Sequence, residues 1–165
     1  MEARAKLFGH PIHPMLIVFP LGLLAMALFF DLIALAMSRH QGLFSASYYM
    51  IEAGIVGGLL AAVFGLIDLL KIPSGTRAKR VGLLHGGGNV VVVVLFAASW
   101  WIRRGAPADP PTLAIVFAAA GAGLATITGW LGGELVDRLG VGIDDGAHLD
   151  APSSLSGRPA SGSSR

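Results

Sequence analysis

Four long runs of apolar residues dominate the sequence, and short polar segments separate them. The runs cover residues 15–37, 48–70, 82–102 and 112–136. A helix needs about 20 residues to cross a hydrocarbon layer about 30 Å thick. Each run is long enough, so the pattern predicts four transmembrane helices.

The connecting segments predict how these helices are arranged. They cover residues 38–47, 71–81 and 103–111, and connections this short make consecutive helices antiparallel neighbours. The sequence therefore predicts an all-α, integral membrane, up-down-up-down four-helix bundle formed by residues 1–139. Residues 140–165 are rich in Ser, Gly, Pro and Asp, which predicts a flexible, disordered C-terminal tail.

Composition agrees with a membrane protein and excludes several other classes. Apolar residues make up 54% of the chain and charged residues 13%, whereas soluble domains average about 45–50% and about 25%. The absence of cysteine excludes disulfides, thiolate metal sites and iron–sulfur ligation. A net charge of +2 gives no indication of a nucleic-acid partner. We expect the lipid bilayer to be the main partner.

The distribution of basic residues predicts the orientation. With four spans, the N-terminal segment, the 71–81 loop and the C-terminal segment lie on one side, and they hold nine of the twelve Lys and Arg residues. The positive-inside rule then places both termini in the cytoplasm. We therefore expect a multi-pass protein of the bacterial inner membrane.

Small residues suggest which helices approach each other most closely. The fourth run has Gly121, Ala125 and Gly129 at four-residue spacing, and the second has Gly54 and Gly58. Small residues let membrane helices pack closely, so the second and fourth spans are predicted to be close partners. The pattern leaves open whether such faces pair within one chain or form a homo-oligomer.

Ionisable residues lie at one end of each span, on the side of the termini. The up-down topology predicts that they converge there; the members are His10, His13, Asp68, His85 and Glu134. Two further acids, Asp31 and Glu52, lie nearer the opposite side. Ionisable groups inside a membrane span are functional candidates by default.

Several motifs together resemble a known family. They are Gly-His-Pro-Ile-His-Pro at 9–14, Arg-Val-Gly-Leu-Leu-His at 80–85, Gly-Trp-Leu-Gly-Gly-Glu-Leu-Val at 129–136 and Gly-Val-Gly at 140–142. In combination they resemble the bacterial membrane family of domain of unknown function 2231. The resemblance implies a four-span membrane protein without an assigned activity. Some members are joined to Rieske iron–sulfur domains, which implies redox partners, although this chain lacks such a module.

Three interpretations of the converging residues stay open. In the first, His13 and His85 bind a b-type haem from opposite sides, and Lys79 and Arg80 pair with its propionates. In the second, a transition metal such as Zn, Fe or Mn is held by mixed imidazole and carboxylate ligands, drawn from His10, His13, Asp68, His85 and Glu134.

The third interpretation is structural: the same groups cap helices and bond across the bundle in a cofactor-free membrane scaffold or partner-binding subunit. A small ion- or proton-conducting bundle would use these residues too, with Asp31 and Glu52 at its other end. No nucleophile with a neighbouring base is visible in the sequence, so it gives no support for an enzyme. The leading hypothesis is a haem- or metal-binding redox or accessory subunit that works with a membrane partner.

Overall fold

A computed structural model describes residues 1–161 and shows four long helices after a small N-terminal hairpin. The elements, in chain order, are β1 (Lys6–Leu7), β2 (His10–Pro11), α1 (Ile12–Leu16), α2 (Val18–Ala36), α3 (Gln41–Lys71), α4 (Arg77–Arg103) and α5 (Thr112–Gly133). One π-helical turn, Glu134–Arg138, extends α5, and a 3₁₀ turn covers Ser154–Ser156.

Four helical segments are long and apolar enough to cross a membrane: Ile12–Ala36, Gln41–Lys71, Arg77–Arg103 and Thr112–Arg138. The predicted all-α bundle of four spans is therefore confirmed. The second span begins earlier than predicted, at Gln41, because residues 41–47, which include Ser45 and Ser47, continue the helix.

The first span is interrupted at Ile17, between α1 and α2. Pro20 lies four residues after Leu16, and a proline has no N–H to donate to the carbonyl of the preceding turn. The missing hydrogen bond accounts for the break. As a result, α1 is a separate helical turn that carries His13.

The bundle consists of two antiparallel hairpins, α1–α2 with α3 and α4 with α5. The hairpins meet through α3 against α4 and, less extensively, through α2 against α5. This arrangement places α3 and α5 diagonally opposite each other, so the predicted close contact between the second and fourth spans is wrong.

Glycines instead admit bulky side chains from the other helix of the same hairpin. A Cβ at Gly54 would lie 2.6 Å from the Leu24 side chain of α2, and one at Gly121 would lie 2.9 Å from Phe96 of α4. Gly129, which the sequence places on the same small face, is exposed, and a Cβ there would meet no neighbouring atom within 4 Å. Gly54 and Gly121 therefore serve packing within a hairpin, whereas Gly58 and Gly82 face Val93 and Leu69 of the other hairpin.

The middle of the bundle is apolar. Its buried cluster contains Leu24, Ala27, Ile51, Val92, Phe96 and Ala118, with residues from all four spans. This layer separates the two ends of the bundle. We call the end that carries both termini the terminal side and the opposite end the loop side.

The terminal side is covered by the N-terminal hairpin. Phe8 and Gly9 both have positive φ angles, 51° and 85°, as the tight turn between two paired strands requires. The Asp68 carboxylate at the end of α3 accepts hydrogen bonds from the backbone N–H groups of Arg4 and Ala5, at 2.7 and 3.1 Å. These bonds attach the N-terminal segment to the bundle.

Residues after the last span contact the N-terminus. The Met1 ammonium donates to the Gly140 carbonyl at 2.9 Å. Lys6 pairs with Asp144 and Glu2, and these hydrogen bonds, that to Asp144 first, raise the pKa of the Lys6 ammonium. The division into a bundle of residues 1–139 and a flexible tail of residues 140–165 stays a prediction, and residues 162–165 lie outside the described part.

Candidate functional site

Two histidines of the predicted cluster face each other on the terminal side of the bundle. His13 lies on α1, and its Nδ1 is 2.8 Å from the carbonyl oxygen of Ala61 on α3. The ring packs on Gly65, where a Cβ would lie 2.9 Å from its atoms. The glycine is therefore required if the ring is to occupy this position.

His85 on α4 is held in the same way by the second hairpin. Its Nδ1 is 2.8 Å from the carbonyl oxygen of Thr128 on α5. A Cβ at Gly132 would lie 3.1 Å from the ring. Each histidine is thus bonded to the neighbouring helix of its own hairpin and supported there by a glycine.

The two hairpins repeat this construction position by position. In both hairpins, the supporting glycine lies four residues after the residue whose carbonyl accepts the histidine's hydrogen bond. These pairs are Ala61 with Gly65 and Thr128 with Gly132. The buried Leu24 and Phe96 each follow their hairpin's histidine by eleven residues. This correspondence indicates an approximate two-fold axis along the membrane normal, with one histidine on each side of it.

The geometry of the pair leaves one nitrogen of each ring free. A carbonyl oxygen only accepts hydrogen bonds, so Nδ1 carries the hydrogen in both rings, and in a neutral ring this leaves the lone pair on Nε2. The ring centroids of His13 and His85 are 6.4 Å apart and the ring planes are at 89°. The two rings are therefore close enough to share a ligand.

Asn89 lies beside His85 and does not occupy its free nitrogen. The Asn89 Nδ2 is 3.2 Å from Nε2 of His85 and 3.5 Å from Nδ1. A group in line with the Nε2 lone pair would be much farther from Nδ1 than from Nε2, so the amide lies over the ring face. The Thr128 hydroxyl donates to Asn89 Oδ1 at 2.9 Å and fixes this amide.

The other predicted members have separate partners. His10 lies 3.1 Å from the Ser154 hydroxyl, Asp68 binds the N-terminal backbone, and Glu134 pairs with Arg77. Among residues 1–161, no three His, Cys, Asp or Glu side chains lie close enough together to hold a metal ion. Of the five candidate residues, the structure brings only His13 and His85 together.

A second polar site, which the sequence did not reveal, lies on the loop side. Arg103, the last residue of α4, binds both carboxylate oxygens of Asp31 on α2, at 3.1 and 3.0 Å. The same guanidinium donates to Ser47 at 3.1 Å and to Ser99 at 3.0 Å, and Ser99 donates to the Ala114 carbonyl at 2.6 Å.

Asp31 and Arg103 are both fully buried, and the network that contains them joins all four spans. The sequence makes Asp31 a candidate, but it places Arg103 in the exposed loop. Their spacing could have indicated the pair from the sequence, since Asp31 and Arg103 each follow their hairpin's histidine by eighteen residues. The same two-fold axis therefore passes near this pair.

These features define an integral membrane protein, a bundle of two repeated helical hairpins with a polar pair near each end of its axis. Residues 9–145 match the family described as predicted membrane protein, DUF2231, and the chain belongs to that family. No curated protein and no solved structure shows a significant match to the chain.

Proposed function

We propose that His13 and His85 are the axial ligands of a b-type haem, and that the protein is a redox or accessory subunit of the membrane. The observation that carries this proposal is the close pair of imidazoles, each anchored through Nδ1 to a backbone carbonyl. Histidines that bind metals commonly donate their other ring N–H to such a carbonyl, which fixes the tautomer and the ring orientation.

The separation of the rings supports a shared metal. An imidazole nitrogen binds a metal at about 2 Å, and the ring centre lies roughly 1 Å behind that nitrogen. Two imidazoles on opposite sides of one metal therefore have centroids about 6 Å apart. The centroids of His13 and His85 are separated by 6.4 Å.

The number of ligands favours a haem over a bare metal ion. Zinc sites use three or four protein ligands, whereas a haem brings four nitrogens of its own and needs two axial ligands. The described chain offers two imidazoles here and no third ligating side chain of the His, Cys, Asp or Glu type. Bound haem would supply one-electron transfer.

The arrangement of the hairpins also supports a flat ligand. His13 is bonded within the first hairpin and His85 within the second, so a ring between them would lie at the interface of the hairpins. Helices contact each other less across this interface than within each hairpin. Lys79 is bonded to the Leu69 carbonyl at 2.7 Å, while Arg80 is exposed and is the better candidate for a propionate.

The apolar layer argues for an electron carrier over an ion path. Leu24, Ile51 and Phe96 are buried between the histidine pair and the Asp31–Arg103 pair. An ion crossing this layer would lose its hydration without gaining polar partners. Electron transfer at the terminal side requires no such passage.

We infer the orientation from the basic residues. Nine of the twelve Lys and Arg residues belong to the terminal side, and the positive-inside rule assigns that side to the cytoplasm of a bacterial cell. The histidine pair would then lie near the cytoplasmic surface of the inner membrane. A membrane or cytoplasmic redox partner would approach it there.

The visible spectrum of the protein, purified in detergent from cells supplied with haem, tests the proposal. We expect a Soret band with one haem per chain, and its loss in His13→Ala and His85→Ala. His40→Ala and His148→Ala are matched controls that should keep the band, because these histidines lie outside the bundle core. Ferric haem should show a highly anisotropic low-spin resonance, since the imidazole planes are nearly perpendicular.

Two results would overturn the haem assignment. One is a colourless protein despite ample haem, and the other is a Soret band that survives in both alanine variants. Elemental analysis of a colourless sample would separate the competing roles. A stoichiometric transition metal would indicate a metal site, and a metal-free protein would indicate a cofactor-free scaffold.

A further inference from the structure

Glu52 is an acidic side chain exposed on the lipid-facing surface of α3. Ser47 on the same helix is level with Arg103, the last residue of α4, because the two are hydrogen-bonded at 3.1 Å. Glu52 follows Ser47 by five residues, so it lies about 7.5 Å nearer the middle of the membrane. Its carboxyl group forms no hydrogen bond or ion pair with residues 1–161.

Aromatic residues mark the membrane boundary near this level. Tyr49 on α3 and Trp101 on α4 are 64% and 57% exposed, and Tyr and Trp concentrate at membrane interfaces. Glu52 lies one helical turn inside Tyr49. An acid facing lipid at this depth is costly, and such residues normally pair with another polar group.

Glu52 also belongs to a regular exposed stripe of α3. The stripe consists of Tyr49, Glu52, Val56, Leu59, Val63 and Leu66, at alternating spacings of three and four residues. All six are exposed. This is the spacing of the contact positions in a left-handed pair of helices. A single polar residue at such a position determines the register of the helices and how many of them associate.

We propose that this stripe is a homodimer interface, in which α3 packs in parallel against α3 of a second copy. The stripe carries both a donor and an acceptor, the Tyr49 hydroxyl and the Glu52 carboxyl, and neither is bonded within residues 1–161. A two-fold axis parallel to the stripe brings each Glu52 carboxyl within reach of the Tyr49 hydroxyl of the other copy, because the two residues are one helical turn apart. The polar groups of the stripe are therefore complementary to themselves.

The second copy explains Glu52 better than contacts within the bundle would. The opposite face of α3 is already filled, since Gly54 receives Leu24 of the same chain. Acids of two other spans have partners within the chain: Asp31 is buried against Arg103, and Glu134 pairs with Arg77 at the terminal side. Glu52 instead faces lipid, where a second copy can reach it.

Disulfide cross-linking in native membranes tests the interface, because the chain has no cysteine of its own. We expect Val56→Cys and Leu59→Cys to form a species of twice the mass on mild oxidation. Val94→Cys on α4 and Ile127→Cys on α5 are matched controls, since both positions are 59% exposed. Their cross-linking should be at least about fivefold weaker, because both positions lie outside the proposed contact between the two α3 helices.

Substitutions of Glu52 distinguish a specific interface from random collisions between copies of the protein. Glu52→Leu in the Val56→Cys background should reduce cross-linking at least about fivefold, whereas Glu52→Gln should retain most of it because an amide still bonds across helices. Glu52→Leu should leave any Soret band unchanged, which keeps this test independent of the haem proposal.

Three outcomes would overturn the interface: equal cross-linking at the control positions, an adduct to a protein of another mass, or full cross-linking in Glu52→Leu.

Discussion

A single guanidinium joins three spans on the loop side and reaches the fourth through Ser99. Arg103 uses its two terminal nitrogens to bind Asp31, Ser47 and Ser99, which offsets much of the cost of burying the charge, while its Nε has no partner within residues 1–161. A buried pair of this kind adds little net stability compared with apolar residues, but the loss of one partner leaves an isolated buried charge. Asp31 and Arg103 therefore each require the other as a partner for their buried charge.

Arg103→Ala tests this dependence at the residue scale. We expect it to lower the free energy of unfolding by about 3–5 kcal/mol, because Asp31 is left buried without its partner. Thermal unfolding in detergent measures the change. Asp109→Ala is a suitable control, since it removes the exposed pair with Arg39 and should cost no more than about 1 kcal/mol.

The combined change of Asp31→Leu and Arg103→Leu should recover much of the lost stability. It removes both charges and fills their space with apolar atoms. A double variant that unfolds as readily as Arg103→Ala would contradict the account of an uncompensated charge.

At the scale of single residues, the sequence predicts some partners and misses others. It predicts that His13 and His85 meet, because the topology and their positions at helix ends suffice. It does not predict the partners of Asp68 and Glu134, because they depend on how the N-terminal hairpin and the π-helical turn fold back. Arg103 is missed because a cation at the end of a span looks like a loop residue until the neighbouring helices are placed.

The helices are held in pairs by side chains that enter glycine positions. Leu24 enters at Gly54 and Phe96 enters at Gly121, at equivalent places in the two hairpins. Hydropathy is enough to predict the four helices. It is not enough to predict which glycines face a neighbour, since glycine is also common on lipid-facing surfaces of membrane helices.

Two glycines on α5 allow a matched test at the element scale. Gly121→Leu should lower the free energy of unfolding by at least about 1–3 kcal/mol, because the new side chain overlaps Phe96 in a packed core. Gly129→Leu should change it by less than about 0.5 kcal/mol, since the position is open and exposed. Thermal unfolding of the two variants in one detergent gives the comparison, and equal effects would contradict the packing of α5 on α4.

The whole molecule has two distinct ends separated by an apolar layer. The contact between Met1 and Gly140 shows that the segments before the first span and after the last span lie on the same side of the bundle. On the opposite side, Arg39 of the first loop binds Asp109 and the Pro110 carbonyl of the last, at 2.6 and 2.7 Å. Each end is therefore closed by contacts between segments remote in the sequence.

Cysteine labelling from outside the cell tests the orientation of these ends. Ser38→Cys and Ala106→Cys on the loop side should react with a membrane-impermeant maleimide in intact spheroplasts. Ser74→Cys and Ala151→Cys on the terminal side should react only after the membrane is opened. This result follows from the excess of Lys and Arg on the terminal side, and the reverse pattern would contradict a cytoplasmic position for the termini.

The repeated hairpins place opposite charges at equivalent positions. If two copies of the first hairpin were to assemble as the two halves do, they would bring two aspartates together in the membrane interior. Two copies of the second would bring together two arginines. Self-association of either half in this arrangement is therefore electrostatically disfavoured, and each half requires the other to complete the bundle.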